Sequence, residues 1–261
     1  MSCMIAFSEI RGAVFDVDDT IFDNDKNSIY GGHHENARLL AIQKIGEEQD
    51  IGEFRNLSIE ANRDAFRNNP VHSFEAAVWT ILTDCKLVDS PVIDPNHPLL
   101  KQITELKDEF YLDLIRRKGK EVVGASTFVR AMAAHVDGRI AIASTAIKRD
   151  LTEVLHIVGL DDVFAPDRIF SKESVSHAKP HPEGFDKAFR SLGLPDQDRS
   201  KVLAFEDDPR GIEAAKAAGL TVCAITTRYS VDELRNQPEE RRAHIIGTSF
   251  ADLSDQLGMV N

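Results

Sequence analysis

Three cysteines in 261 residues, Cys3, Cys85 and Cys223, are too few and too scattered for a disulfide framework or a cysteine-built zinc site. They read as reduced thiols: Cys223 sits in TVCAI, the pattern of a core strand, and Cys85 continues an apolar helical series. No apolar run approaches the roughly 18 residues of a membrane helix. The opening MSCMIAFSEI lacks the charged-then-apolar pattern of a signal peptide. There is no basic stripe either, since 43 acidic residues outweigh 31 Lys and Arg to leave a formal net charge of −12. That balance argues against a nucleic acid held by its backbone and against an anionic membrane surface. The expectation is a cytoplasmic protein with no nucleic acid, no membrane and no obligate protein partner. Internal repeats and low-complexity tracts are also absent from the chain.

What is present is concentrated in AVFDVDDTIFDN, where Ala13, Val14 and Phe15 precede four carboxylates, Asp16, Asp18, Asp19 and Asp23, within eight positions. The apolar run has neither helical nor alternating periodicity, which suits a short strand buried on both faces of a parallel sheet. With a side-chain period of two, Asp16 and Asp18 leave such a strand on one side while Val17 points away. Converging anions repel unless a cation sits between them. Magnesium is the plainest candidate, because it binds through one or two carboxylates and keeps positions open for water and phosphate.

Two kinds of sequence follow. From about Asn24 to Lys120 apolar residues recur at helical spacing, as in Ala37, Leu40, Ala41 and Ile45, then Val78, Ile81, Leu82 and Cys85. After that, strand-like RIAIAS, DRIF, KVLAF and TVCAI alternate with helical KRDLTEVLHIVG, PEGFDKAFRSLG and PRGIEAAKAAG. Alternation of this kind predicts βαβ units and a parallel sheet, an α/β fold of Rossmann-like type. The first strand belongs with it, so the expected division is a core of residues 1–22 plus 122–261 with a helical insertion at 23–121. Arg116, Arg117 and Lys118 before Gly119 read as a helix C-terminus. The charge run DELRNQPEERR reads as a solvated helix or loop before a last strand around His244 to Ile246.

In open α/β sheets ligands bind outside the carboxyl ends of the strands. The residues there are chemically loaded: Asp16 and Asp18 after the first strand, Ser144 and Thr145 after RIAIA, Lys179 in SHAKPHPEG, and Glu206, Asp207 and Asp208 after KVLAF. In order, FDVDDT, IAIAST, AKPHPEGF and LAFEDDPRGIEAAKAAG resemble the four motifs of the haloacid dehalogenase superfamily, in the branch that includes phosphoglycolate phosphatase and β-phosphoglucomutase. The resemblance covers the first strand and residues 122 to about 226, and the helical block sits where this branch carries its cap.

The resemblance implies a magnesium-dependent phosphatase acting on a small phosphorylated metabolite. It makes Asp16 the nucleophile that forms an aspartyl-phosphate and Asp18 the general acid and base. Magnesium would be held by Asp16, the Asp18 main-chain carbonyl and Asp207, with Glu206 close by or ligating through water. Ser144, the Thr145 amide and a helix beginning near Ala146 would hold phosphate oxygens, with Lys179 as counter-charge. Asp208 reads instead as an N-cap before Pro209, and the third motif departs from the family pattern at Ala178 and Glu183. A β-phosphoglucomutase-like isomerase is the enzyme alternative, with His33 and His34 near the position of a hinge histidine. A receiver-like or catalytically silent phosphate-binding protein is the alternative without turnover.

Overall fold

A computed structural model describes residues 6–25, 32–69 and 73–259; Cys3 lies outside them. The chain forms two compact units, Met1–Asp23 with Gly119–Asn261, and Asn24–Lys118.

Along the chain, β1 (Gly12–Phe15) and the short β2 (Phe22–Asp23) precede the helical unit. That unit comprises α1 (His33–Glu48), α2 (Gly52–Arg55), α3 (Ile59–Arg67), α4 (Phe74–Asp84) and α5 (Pro98–Lys118). The second crossing begins with β3 (Lys120–Glu121), then α6 (Ala125–His135), β4 (Ile140–Ala143), α7 (Lys148–Ile157), β5 (Ile169–Phe170) and α8 (Glu183–Ser191). The last third runs β6 (Val202–Glu206), α9 (Pro209–Ala217), β7 (Thr221–Ile225), α10 (Val231–Arg235), β8 (Ile245–Gly247) and α11 (Phe250–Leu257).

Six strands form one parallel sheet in the order β5-β4-β1-β6-β7-β8. Every residue of β1, β4 and β6 is buried, which is why these strands read as unbroken apolar runs. On one face Val14, Ala141, Ala204 and Val222 meet Phe185 and Phe189 of α8. On the other, Phe15 stacks on Phe205 with ring centroids 4.7 Å apart, and Phe128 of α6 meets Phe205 edge-on at 5.1 Å. From β1 the chain passes first to β4 and β5 on one side and then to β6, β7 and β8 on the other. The carboxyl ends of β1, β4 and β6 therefore flank the point where the strand order reverses, the usual ligand crevice of such sheets.

Where the chain leaves and re-enters this unit, β2 and β3 pair antiparallel, with Asp23 and Lys120 joined by a 3.3 Å ion pair. The charge run after Tyr229 folds into α10, begun by a Ser230–Glu233 capping box, and a 3-10 turn at Glu239–Arg241 before β8. Within the helical unit, Ile42, Ile45, Phe54, Val78, Leu82 and Ile103 form one apolar core. Periodicity gave no hint of a charge inside it. Arg38 is nevertheless buried, donating from Nε to Asn62 Oδ1 at 2.7 Å and from Nη2 to the Asn62 carbonyl at 2.5 Å. Burial pulls its pKa down to about 10 against the opposing charge of Glu35.

Cys223 lies fully buried in β7, and burial pushes its thiol up to about 12. Cys85 is the half-buried C-cap of α4 and is shifted upward by the same cause. Native protein treated with N-ethylmaleimide near neutral pH should therefore leave Cys223 unmodified by peptide mapping, and denaturant should expose it. Fast native labelling of Cys223 would contradict this placement. Among the described residues no helix is long and apolar enough to cross a membrane.

Candidate active site

β1 ends at Phe15 and presents Asp16 at the carboxyl end of a central strand, the Asp16 amide donating to Phe205 O of β6 at 2.9 Å. The chain then turns tightly. Val17 O accepts the amides of Thr20, Ile21 and Phe22, and Asp19 takes the left-handed region at φ 58°. On the neighbouring strand β6 ends in Glu206, followed by Asp207, and Asp208 caps α9 by accepting the Arg210 amide at 2.9 Å. Lys179 arrives on the loop before α8, preceding a cis peptide bond to Pro180.

Three buried carboxylates thus gather here, and two of them share one ammonium. Asp16 is 5% exposed, and Glu206 and Asp207 are each 1% exposed. Lys179 Nζ donates to Asp16 Oδ1 at 2.5 Å and to Glu206 Oε1 at 2.6 Å. Glu206 Oε2 accepts the amides of Asp207 and Asp208 at 2.9 and 3.0 Å, and Thr20 Oγ1 donates to Asp207 Oδ1 at 3.3 Å. Burial pushes the Asp16 and Asp207 carboxyls well above the usual range, helped by their carboxylate neighbours and opposed by Lys179 at Asp16 and Arg228 at Asp207. Burial would lower Lys179, but Asp16 and Glu206 hold it above its ordinary value.

This donor set fits a hard divalent cation. Oxygens of Asp16, Glu206 and Asp207 lie within 4.8 Å of one another, and Asp207 Oδ2 is buried without a hydrogen bond. The Arg228 guanidinium faces that oxygen at 3.6 Å without a hydrogen bond, so its lone pairs stay available to a hard cation. Asp18 is half-buried and lies outside that ligand group, though its charge helps raise Asp16.

Ser144 is buried at the end of β4, its Oγ accepting the Ala146 amide at 3.1 Å, whereas Thr145 is exposed. Together with Lys179 they line a shallow pocket. The helix expected near Ala146 starts at Lys148, and the Lys148 amide is already taken by Glu173 at 3.0 Å. An anion in this pocket would thus meet the Ser144–Ala146 turn ahead of the helix. In the helical unit, the His33 amide donates to Asn24 O at 2.8 Å and His34 stacks on Tyr111 at 4.0 Å.

Two contributors were not singled out from the sequence. Arg228, just beyond β7, lies 3.6 Å from Asp207 Oδ2, 3.7 Å from Asp19 Oδ2 and 3.3 Å from Asp208 Oδ2. Burial lowers its basicity, but these three carboxylates more than restore it. Its signal was position, since it follows the carboxyl end of a strand as the other residues do. Gly211 in α9 is the second: a Cβ built there would fall 1.7 Å from Glu206 Oε1. Only the absence of a side chain lets the helix approach that carboxylate so closely.

Comparison with known proteins agrees with this architecture. Over 121 residues the chain is 32% identical to Glycerol-1-phosphate phosphohydrolase 1 of Saccharomyces cerevisiae, covering 45% of this chain and 47% of that one. The match thus spans about half the length of that relative and of Glycerol-1-phosphate phosphohydrolase 2 of the same organism. Fructose-1-phosphate phosphatase YqaB of Escherichia coli is 25% identical over 82% of this chain and 95% of its own length. In fold, the chain is similar to a HAD hydrolase of family IA, variant 3, from Entamoeba histolytica, with a TM-score of 0.73 and 20% identity over 95% of this chain and 97% of that one. CbbY from Rhodobacter sphaeroides in complex with phosphate is similar at a TM-score of 0.66 and 21% identity, over 94% of this chain and 96% of that one. The hydrolase family model for haloacid dehalogenase-like hydrolases matches residues 10–219. With four-fifths of its length matched by that model and a parallel sheet of the same kind, the chain belongs to the haloacid dehalogenase-like hydrolases.

Proposed function

We propose that this protein is a magnesium-dependent phosphatase that hydrolyses a small phosphomonoester, a sugar or polyol phosphate in class, through an aspartyl-phosphate on Asp16. The observation that carries the reading is the buried set in which Lys179 Nζ bridges Asp16 Oδ1 and Glu206 Oε1 while Asp207 Oδ2 has no hydrogen bond. The phosphatase relatives, matched over part of their length or at lower identity, support the same class.

Asp16 attacks phosphorus through a carboxylate oxygen, and the bond from phosphorus to the substrate oxygen breaks. Asp18 gives its proton to the departing oxygen, then takes a proton from the water that attacks the aspartyl-phosphate, returning Asp16 free and releasing phosphate. Lys179 holds Asp16 in place and balances charge on the phosphoryl oxygens. Ser144 and the Thr145 amide orient those oxygens. Asp16, Asp207 and the Asp18 carbonyl, with Glu206 alongside, would hold magnesium, whose charge neutralises the transferring phosphoryl group.

The test is phosphate release from a panel of glycerol, fructose and other sugar phosphates, phosphoglycolate and nucleotides, with magnesium or a chelator. Release is expected only with magnesium, and Asp16→Asn should reduce it by at least about 10³-fold. Asp18→Asn should cost about 10²- to 10⁴-fold. Conversion of β-glucose 1-phosphate to its 6-phosphate isomer without phosphate release would replace this reading with a mutase. Silence in both assays would replace it with a binding role.

A further inference from the structure

Beside the phosphate-side residues, the loop that carries Lys179 also carries His177 and His181 and leads into Glu183, the first residue of α8. One nitrogen from each imidazole and one Glu183 oxygen all lie within 4.8 Å of one another. His177 Nδ1 is 3.1 Å from Glu183 Oε2, and the two rings lie 4.5 Å apart at 32°. The Glu183 amide donates to His181 Nδ1 at 3.2 Å.

A loop staple accounts for Glu183 alone. Its carboxylate accepts the amides of Ser176 and His177 at 3.1 and 3.0 Å and the ammonium of Lys187 at 2.7 Å. Those bonds, with Lys187 foremost, hold the carboxyl down to about 2, so that it stays ionised. They do not account for the second exposed imidazole: His177 Nδ1 lies on Glu183 Oε2, whereas His181 Nδ1 accepts the Glu183 amide, and both rings still gather at the start of α8. Two histidines and a carboxylate with one position left open are the ligand chemistry of zinc rather than magnesium, which prefers oxygen alone. Ligands about 2.0–2.1 Å from a tetrahedral ion stand about 3.4 Å apart, close to the present spacing of His177 and Glu183. The spacing of the two histidines, with three residues between them, is also one that zinc sites use.

We propose that His177, His181 and Glu183 form a second cation site, selective for zinc-class ions and separate from the Asp16, Glu206 and Asp207 group. His177 and His181 line the same pocket as Ser144, Thr145 and Lys179. An ion held there therefore adds positive charge at the rim of that pocket. The site stands whether or not the phosphatase reading holds, because its test reads binding.

Tag-free full-length protein, kept in excess magnesium to fill the acidic group, is titrated with zinc chloride by calorimetry. One zinc per chain is expected. His177→Ala and His181→Ala should each weaken it by about tenfold or more, the effect of disturbing a metal's protein ligands. Asp207→Asn should leave zinc affinity unchanged. Both histidines are exposed, so unchanged thermal melting without zinc is expected of the variants and verifies that they fold. No zinc binding, binding indifferent to both histidines, or binding lost in Asp207→Asn would each overturn the proposal.

Discussion

Lys179→Met should lower stability by about 3 kcal/mol near pH 7 and turnover by on the order of 10²- to 10³-fold. The side chain keeps its length but loses its charge, and with it the cation–π contact of Nζ with the Phe185 ring 5.0 Å away. Asp16 and Glu206 then keep their burial without the partner that bonds both at 2.5 and 2.6 Å. Removing one member of a buried ion pair is costly because the other charge is left without compensation. The pH dependence follows from the direction of the Asp16 shift. Burial already raises that carboxyl in the native protein and Lys179 opposes the rise, so the variant should raise it further. A carboxyl whose folded pKa exceeds its unfolded value stabilises the fold below the unfolded pKa and loses that contribution as pH rises through the folded one. The deficit of Lys179→Met should accordingly be largest at neutral pH and shrink as pH falls through the carboxylate range. Magnesium should restore part of it at pH 7 by binding the folded state. Urea denaturation across pH, with magnesium and with chelator, reads all three. Unchanged stability at pH 7 would mean that Lys179 does not compensate the buried carboxylates.

Gly211→Ala should destabilise the protein by about 2–3 kcal/mol and weaken magnesium affinity about 10- to 100-fold. By helix propensity alone this change, in the first turn of α9, would stabilise by roughly 0.5–1 kcal/mol. The sign reverses because the new Cβ would overlap the Glu206 carboxylate, 2.0 Å from Cδ and 2.5 Å from Oε2. Glu206 has to move, yet it is 1% exposed and bonded to Lys179 and to the amides of Asp207 and Asp208. Any new rotamer breaks those bonds and shifts the residue beside Asp207. Thermal melting and magnesium titration of Gly211→Ala, Glu206→Ala and the double variant separate the causes. The double variant should recover most of the stability lost in Gly211→Ala without recovering magnesium affinity, since the clash is gone but the carboxylate is too. Stability at or above wild type in Gly211→Ala would show that the helix yields instead of Glu206.

Periodicity and strand-end logic are local, and they reached the parts of the molecule that local rules govern. The apolar run of β1, the alternation from residue 140 to 225 and the placing of carboxylates just past β1 and β6 follow from side-chain period and strand burial. They also indicated that Asp208 begins a helix before Pro209. The helix expected near Ala146 begins at Lys148, and spacing could not show that its first amide is satisfied by Glu173, 25 residues away. Spacing could not show that Arg38 is buried in the helical unit, and position marked Arg228 as a strand-end residue without showing the three carboxylates around it, because what permits such a charge is a partner distant in sequence. The sequence by itself therefore determined the strands, the order of the βα units and the chemistry available at their ends. The tertiary structure alone decided which of those groups touch, how Lys179 shares its charge between two carboxylates, and why α9 tolerates no side chain at Gly211. Each of these depends on strands β1 and β6 lying side by side, although nearly two hundred residues separate them in the chain.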